Sequence, residues 1–280
     1  MSMTRCGILT IEPYLAAGQG PTILFKTPGR CIVDSLDGTP VNYRTPASRA
    51  SQIFDFEEHR PASPIAAKIW RTRSEPVACF TSVASTHWEL IVTRQRGRAS
   101  VTLRGPESRA TVMAVPQDAE FLGIEFRVGT AMLDLPFHRL ADSAVTLPQA
   151  STRSFWLNGS AWEIPTFANA EVFVARLLRR GRVRRDPLLE DLLQGHDTPL
   201  SWRSVRRRVQ HTTGLTLGLI RQIERAHRAV ALLDNGHHIL DVVDRTGYAD
   251  QPHLTRSLRR FVGHTPAQIV RDQAVARSTS

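Results

Sequence analysis

One stretch limits what this chain can fold into more than any other: Gly247-Tyr248-Ala249-Asp250-Gln251-Pro252-His253-Leu254-Thr255-Arg256-Ser257-Leu258-Arg259-Arg260-Phe261-Val262-Gly263-His264-Thr265-Pro266. A short apolar segment, residues 239–246, leads into it. Gly247 admits a positive φ and hence a sharp turn. Asp250 is placed to cap a helix, and Pro252 fits its first turn, where a missing N–H costs little. Leu254, Leu258 and Phe261 fall at i, i+4 and i+7 and form one apolar stripe. His253, Arg256 and Arg260 fall on the other side. Gly263 stops the helix, and Thr265-Pro266 opens the next. Helix, glycine turn and basic second helix make a helix-turn-helix, the second helix being of the kind that enters a DNA major groove.

A second basic helix lies upstream. Ser201 is a suitable N-cap, residues 202–212 carry a helical pattern, and Gly214 ends it. Val205 and Val209 form its apolar side. Arg203, Arg206, Arg207 and Gln210 follow at i, i+3, i+4 and i+7 on the other. The guanidinium fork suits guanine edges and phosphates alike. Residues 216–233 then read as a long amphipathic helix with Ile220, Ile223, His227 and Val230 along one side, ended by Asn235-Gly236. The pattern is two helix-turn-helix units joined by one helix.

The run from Gly247 to Pro266 resembles the second helix-turn-helix signature of AraC/XylS-type transcription regulators, and the likeness extends over residues 186–272. It implies a bacterial, cytoplasmic transcription factor that binds promoter double-stranded DNA sequence-specifically. By motif, the family's base-reading positions fall on Arg203, Arg206 and Arg207 in the first unit and on Gln251, His253 and Arg256 in the second. Gln210, Arg221, Arg259 and Arg260 are expected at the DNA backbone. A solvated basic face is the competing reading of the same side chains. A small-molecule effector, a homodimer and, for an activator, RNA polymerase are the further partners the resemblance leaves open. There is one departure from the family pattern, which has two helices before the first recognition helix. Here only residues 186–195 read as helix, and His196-Asp197-Thr198-Pro199-Leu200 follows at once, so a shortened first unit is expected.

Charge agrees with a polyanionic partner. The 280 residues carry a net charge of +10. Lys26 and Lys68 are the only lysines, so 34 of the 36 basic residues are arginine, which a GC-rich genome would also produce. Genome bias does not gather arginines onto helix faces. Cys6, Cys31 and Cys79 are odd in number and form no C-x-x-C, which argues against a disulfide framework or a zinc site. No apolar run approaches the length of a membrane span.

The length suits two domains, and the fold class expected is α+β: a mostly β first domain and an all-helical second. Residues 1–52 read as a loosely structured extension. Residues 65–128 hold five candidate strands about every ten residues, separated by Gly or Pro, which suggests an antiparallel sandwich or barrel. Trp88-Glu89-Leu90-Ile91-Val92, Gly105-Pro106 and residues 123–129 resemble the cupin-like effector domains that precede the DNA-binding half in AraC-type regulators. Residues 133–140 and 168–180 read as helices, the second with Val172, Phe173 and Leu177 on its apolar side. Residues 181–186 read as an exposed, arginine-rich linker, which divides the chain into 53–181, 182–275 and a tail, 276–280. Phe155, Trp156, Trp162 and Phe167 read as an effector pocket or as a hydrophobic lid on the sheet.

The competing class is an enzyme on the cupin-like scaffold. A metal site there would need clustered histidines and a carboxylate. His87-Trp88-Glu89 supplies one of each, while His59 and His138 stand alone, so no metal and no cofactor are expected. A DNA-repair alkyl transfer would need a reactive cysteine in a basic setting, and Cys79 sits in an apolar strand. The reading is therefore a regulator rather than an enzyme, with the effector unspecified and a ligand-independent regulator as the alternative.

Overall fold

The computed structural model describes residues 9–10, 23–25, 57–74, 79–114, 116–133, 135, 139–193 and 196–278. The strands are β1 (Leu9–Thr10), β2 (Ile23–Phe25), β3 (Glu57–His59), β4 (Ala66–Arg73), β5 (Cys79–Ser82), β6 (Glu89–Gln95), β7 (Arg98–Arg104), β8 (Thr111–Ala114), β9 (Ala119–Phe126), β10 (Thr130–Met132), β11 (Ala144–Thr146), β12 (Gln149–Ser151), β13 (Ser154–Leu157), β14 (Ser160–Glu163) and β15 (Val183–Arg185). The helices are α1 (Ala170–Arg179), α2 (Leu188–Leu193), α3 (Trp202–Thr213), α4 (Leu217–Asp234), α5 (Ile239–Thr246), α6 (Gln251–Phe261) and α7 (Pro266–Ser278).

Alternation builds the first domain. In β6 and β7, Leu90, Val92, Val101 and Leu103 point to one face and are buried, while their neighbours point away. β9 adds Leu122, Ile124 and Phe126 to that core. The result is an eight-stranded sheet in the order β1-β2-β11-β7-β6-β9-β4-β3, whose pairings are all antiparallel. A three-stranded meander, β12-β13-β14, and α1 supply the second layer. Phe155 and Trp162 are buried there against Phe173. These aromatics thus belong to the core that closes the sheet. The apolar side of α1 is Phe173, Val174 and Leu177. Val172, expected with them, is 65% exposed.

Three other expectations change. Within residues 1–52, β2 pairs with β11 and extends the sheet; the rest of the segment, apart from β1, lies outside the described residues. Of residues 133–140, the four described ones, 133, 135, 139 and 140, lie in turns, a bend and a 3-10 turn and not in an α-helix; the others, His138 among them, lie outside the described residues. Residues 181–186 are not an exposed linker. β15 pairs with β10 in the register Thr130↔Arg185 and Met132↔Val183, and Val183 is buried. Pairing with a strand distant in sequence, which no local pattern announces, turned a basic run into an edge of the first domain.

The second domain is helical. α4 is its central element: Ile220, Ile223, Ala226, Ala229 and Leu233 are buried along it, and α5, α6 and α7 pack around it. The core also takes in Ala84, fully buried, and packs against Val83, Val128 and Ala141 of the β domain. Four hydrogen bonds cross the same joint. The Ala84 amide donates to the Phe261 carbonyl at 2.7 Å, and the Ala110 amide donates to the Arg260 carbonyl at 2.8 Å. Thr86 Oγ1 donates to Glu224 Oε1 at 2.7 Å, and His227 Nε2 lies 2.9 Å from the Ala84 carbonyl.

Where the chain passes between the domains, backbone meets backbone. The Asp186 amide donates to the Gly129 carbonyl at 2.8 Å. Gly129 has φ +84°, and a Cβ there would collide with the Asp186 carbonyl oxygen. Gly129→Ala should therefore lower stability by about 2–4 kcal/mol, from the positive φ and the collision together. Gly159→Ala, also at positive φ but with open space around it, should cost about 1 kcal/mol. Urea unfolding of the full chain checks both.

Candidate DNA interface

The helices α3 to α7 start on recognisable local devices, and several stop on one. Ser201 Oγ accepts the Ser204 amide at the start of α3, and Gly214 ends the helix in the left-handed region. Thr216 caps α4. Gly247 closes α5 with φ +69°. Asp250 Oδ1 accepts the His253 amide at 2.6 Å and opens α6. Thr265 and Gln268 cap α7 reciprocally, each side chain bonding the other's amide. Because these caps fix where each helix begins, they also fix which residues face out.

On α3, Val205, Val209 and Thr213 are buried, and Arg203, Arg206 and Arg207 are exposed. No acid among the described residues pairs with any of the three. Gln210 is exposed but engaged locally, its Nε2 donating to the Gly214 carbonyl at 2.9 Å. Sequence reasoning passed over Arg208, which is exposed but paired: its Nε and Nη2 both reach the Asp186 carboxylate. No local signal marks that pair, because Asp186 precedes a different helix. The first unit is short, as expected. α2 has six residues, its end closed by the His196 amide on the Asp191 carbonyl, and α3 follows without a full supporting helix. Arg221, on α4, points back towards α2, its Nη2 at 3.5 Å from the Leu192 carbonyl.

On α6, Leu254, Leu258 and Phe261 are buried, and Gln251, Arg256, Arg259 and Arg260 are exposed. His253 is half-buried, edge-on to Tyr248 with ring centroids 5.0 Å apart. Tyr248 itself is buried, shares a hydrogen bond with Ser257 Oγ at 2.8 Å, and carries the Arg225 guanidinium over its ring at 4.5 Å. This cluster holds the turn before α6 in place. Arg260 lies over Phe261 at 4.9 Å. Arg259 lines a half-open cleft of about 480 Å³ between β5–β8 and α6–α7, together with Arg271 and His264.

Among the described residues, no group of three or more His, Cys, Asp or Glu side chains could hold a metal ion. His59 Nε2 instead meets Glu171 at 3.1 Å, and His87 Nδ1 lies 3.6 Å from Glu125. Burial pushes the Glu89 carboxyl up, while Arg104 opposes this. No helix of the described residues is long and apolar enough to cross a membrane.

Residues 196–272 match the family model described as a helix-turn-helix domain. No curated protein matches the chain. Among solved structures, the 1.65 Å structure of ToxT from Vibrio cholerae matches with 10% sequence identity and a TM-score of 0.34, covering 77% of this chain and 97% of that one. The class defined by fold and site is a two-domain protein, a β domain followed by a helix-turn-helix domain. The helical part is the segment that matches the helix-turn-helix domain model.

His227, at the joint behind this surface, is placed to make stability depend on pH. Burial pushes the His227 imidazole below its usual value of about 6.5, against the pull of Glu224, the Ala84 carbonyl and Glu125; the nearby His87 adds to the lowering. The folded state resists a proton that the unfolded chain accepts. The stabilisation is complete above about pH 6.5 and is lost as pH falls towards the folded value. Melting temperatures of the full chain between about pH 5 and 8 should drop more steeply for the native protein than for His227→Gln on the acid side. Parallel curves would remove His227 from the account.

Proposed function

We propose that the protein is a sequence-specific transcription regulator, working in the cytoplasm, whose DNA reading is subject to a small molecule held by the β domain. The observation that carries this reading is the outward face of α3. Three arginines without an acid partner among the described residues stand opposite a buried Val205–Val209 side, inside a segment that matches a DNA-binding family model. Unpaired guanidiniums on a protein of charge +10 favour a polyanion with planar acceptors, which a major groove supplies.

In this reading Arg203, Arg206 and Arg207 meet base edges from α3, and Gln251, His253 and Arg256 do so from α6, with His253 steadied by Tyr248. Gln210, Arg221, Arg259 and Arg260 hold phosphates. α4 joins the two units, so one protomer spans two successive major-groove segments about 34 Å apart. An effector acts only through a difference in affinity between two states of the protein. Thermal melts of the full chain against a metabolite panel, with and without DNA, separate an effector-dependent regulator from a ligand-independent one.

The arginines divide by role. Replacing Arg206 or Arg207 with Ala should cost about 1–3 kcal/mol on the selected site and relax preference at one or two base pairs. Replacing Arg260 with Ala should weaken selected and scrambled duplexes alike and flatten the salt dependence by about one phosphate. Binding to both duplexes across a salt series distinguishes these outcomes. Equal losses on the two duplexes for Arg206→Ala and Arg207→Ala would make those residues backbone contacts.

A further inference from the structure

We propose that Asp186 is the positioning residue through which the β domain sets the first recognition helix; this rests on the reading of α3 as a DNA-reading helix. A twelve-residue helix in water is marginal and depends on what it packs against. α3 has little local support. Only the six residues of α2 precede it, and residues 196–201 form turn and irregular backbone. Its packing partners are α4 and the β-domain strand β10. One side of its support therefore comes from the other domain.

Asp186 is where that support is fastened. Its amide is bonded to Gly129, the residue before β10, at 2.8 Å. Its Oδ1 accepts the Leu188 amide at 3.2 Å and so opens α2. Its carboxylate also receives both Nε and Nη2 of Arg208, the second at 3.0 Å. Exposed ion pairs contribute little, but this one differs in two respects. The fork is bidentate, which fixes geometry as well as distance. The carboxylate side chain is only 16% exposed, against 51% for Arg208. Arg208 directly follows Arg206 and Arg207, so holding it fixes the rotation of α3 about its axis and with it the direction of those two side chains.

The anchor continues into the β-domain core. Thr130, next to Gly129, accepts the Trp88 indole N–H on its carbonyl at 2.6 Å and donates its hydroxyl to the Ile65 carbonyl at 3.3 Å. Trp88 is buried and stacked on Phe126 at 3.8 Å. α6 is held through different contacts, from Ala84 and Ala110 to Phe261 and Arg260. Loosening Asp186 should therefore disturb α3 and leave α6 in place.

Two measurements on the full chain test this. The first is hydrogen exchange of native protein and of Asp186→Asn, which keeps the size and the acceptor for Leu188 but loses the charge. Exchange should rise in residues 202–213 by about tenfold and stay unchanged in residues 251–261. Unchanged exchange in α3, or an equal rise in both helices, overturns the clamp. The second is selection of binding sites from a random duplex library by native protein, Asp186→Asn, Arg208→Ala and Arg206→Ala. Asp186→Asn and Arg208→Ala should each lose about tenfold preference in the half-site that Arg206→Ala degrades, and retain the other half-site. Loss for Arg208→Ala without loss for Asp186→Asn makes Arg208 a phosphate contact and overturns the proposal. A native protein that selects no motif while the exchange difference stands removes the DNA-reading role from α3 and leaves the clamp.

Discussion

The structure depends on Ala84 being buried in a core that is not its own domain's. A methyl-sized side chain from the loop after β5 sits fully enclosed among the helices, and its amide and carbonyl are both used, by Phe261 and His227. Two buried backbone groups that lost these partners would each cost about 1–3 kcal/mol. Separating the domains therefore removes more than contact area: it orphans polar groups on both sides and opens the helical core. Glu224 and Thr86 add a charge-assisted bond at the same place. The two domains are better regarded as one folding unit with a polar seam than as two bodies on a tether.

That seam gives meaning to the arrangement of the arginines. Several arginines of the β domain and the joint are spent on partners: Arg71 on Glu57, Arg104 on Glu107 and Ser82, Arg185 on Glu190, Arg208 on Asp186. Those on the outer faces of α3 and α6 are not paired with acids among the described residues. Like charges left without acid partners repel one another, and association with a polyanion relieves that repulsion. The division is structural rather than compositional, since both sets are arginine and members of both, Arg207 and Arg208, are adjacent in sequence.

How much of this was legible in the sequence follows from the range of each signal. The helices from α3 to α7 could be read because their devices are local: Ser201, Thr216, Asp250 and Thr265 cap the helix that follows within three residues, and the stripe Leu254-Leu258-Phe261 lies on one helix. The strands β6, β7 and β9 were visible as alternation. What escaped was decided by pairing across distance. β15 is three residues of a basic run, Val183-Arg184-Arg185, and only its register with β10 makes it a strand. Arg208 looked like one more arginine on a basic face, because Asp186 is a neighbour in space and not along the helix. Val172 failed for a different reason: α1 touches the meander along a narrow line, so an apolar residue one position off the line remains in solvent.

The two recognition helices are held by the same β domain, but from different strands. α6 ends against the residues around β5 and β8, through Ala84 and Ala110. α3 is reached from β10 and β15, through Gly129 and Asp186. Both supports connect to Trp88: it follows the Thr86–His87 turn of the seam in sequence and bonds Thr130 of β10 in space. A change at Trp88 would therefore press on both supports, and since they are separate it need not press on them equally. With separate supports, α3 and α6 can change their relative orientation without either helix unfolding. Packed cores have discrete arrangements rather than continuous ones, so a small displacement in the β core would reach α3 and α6 as one relative placement or another.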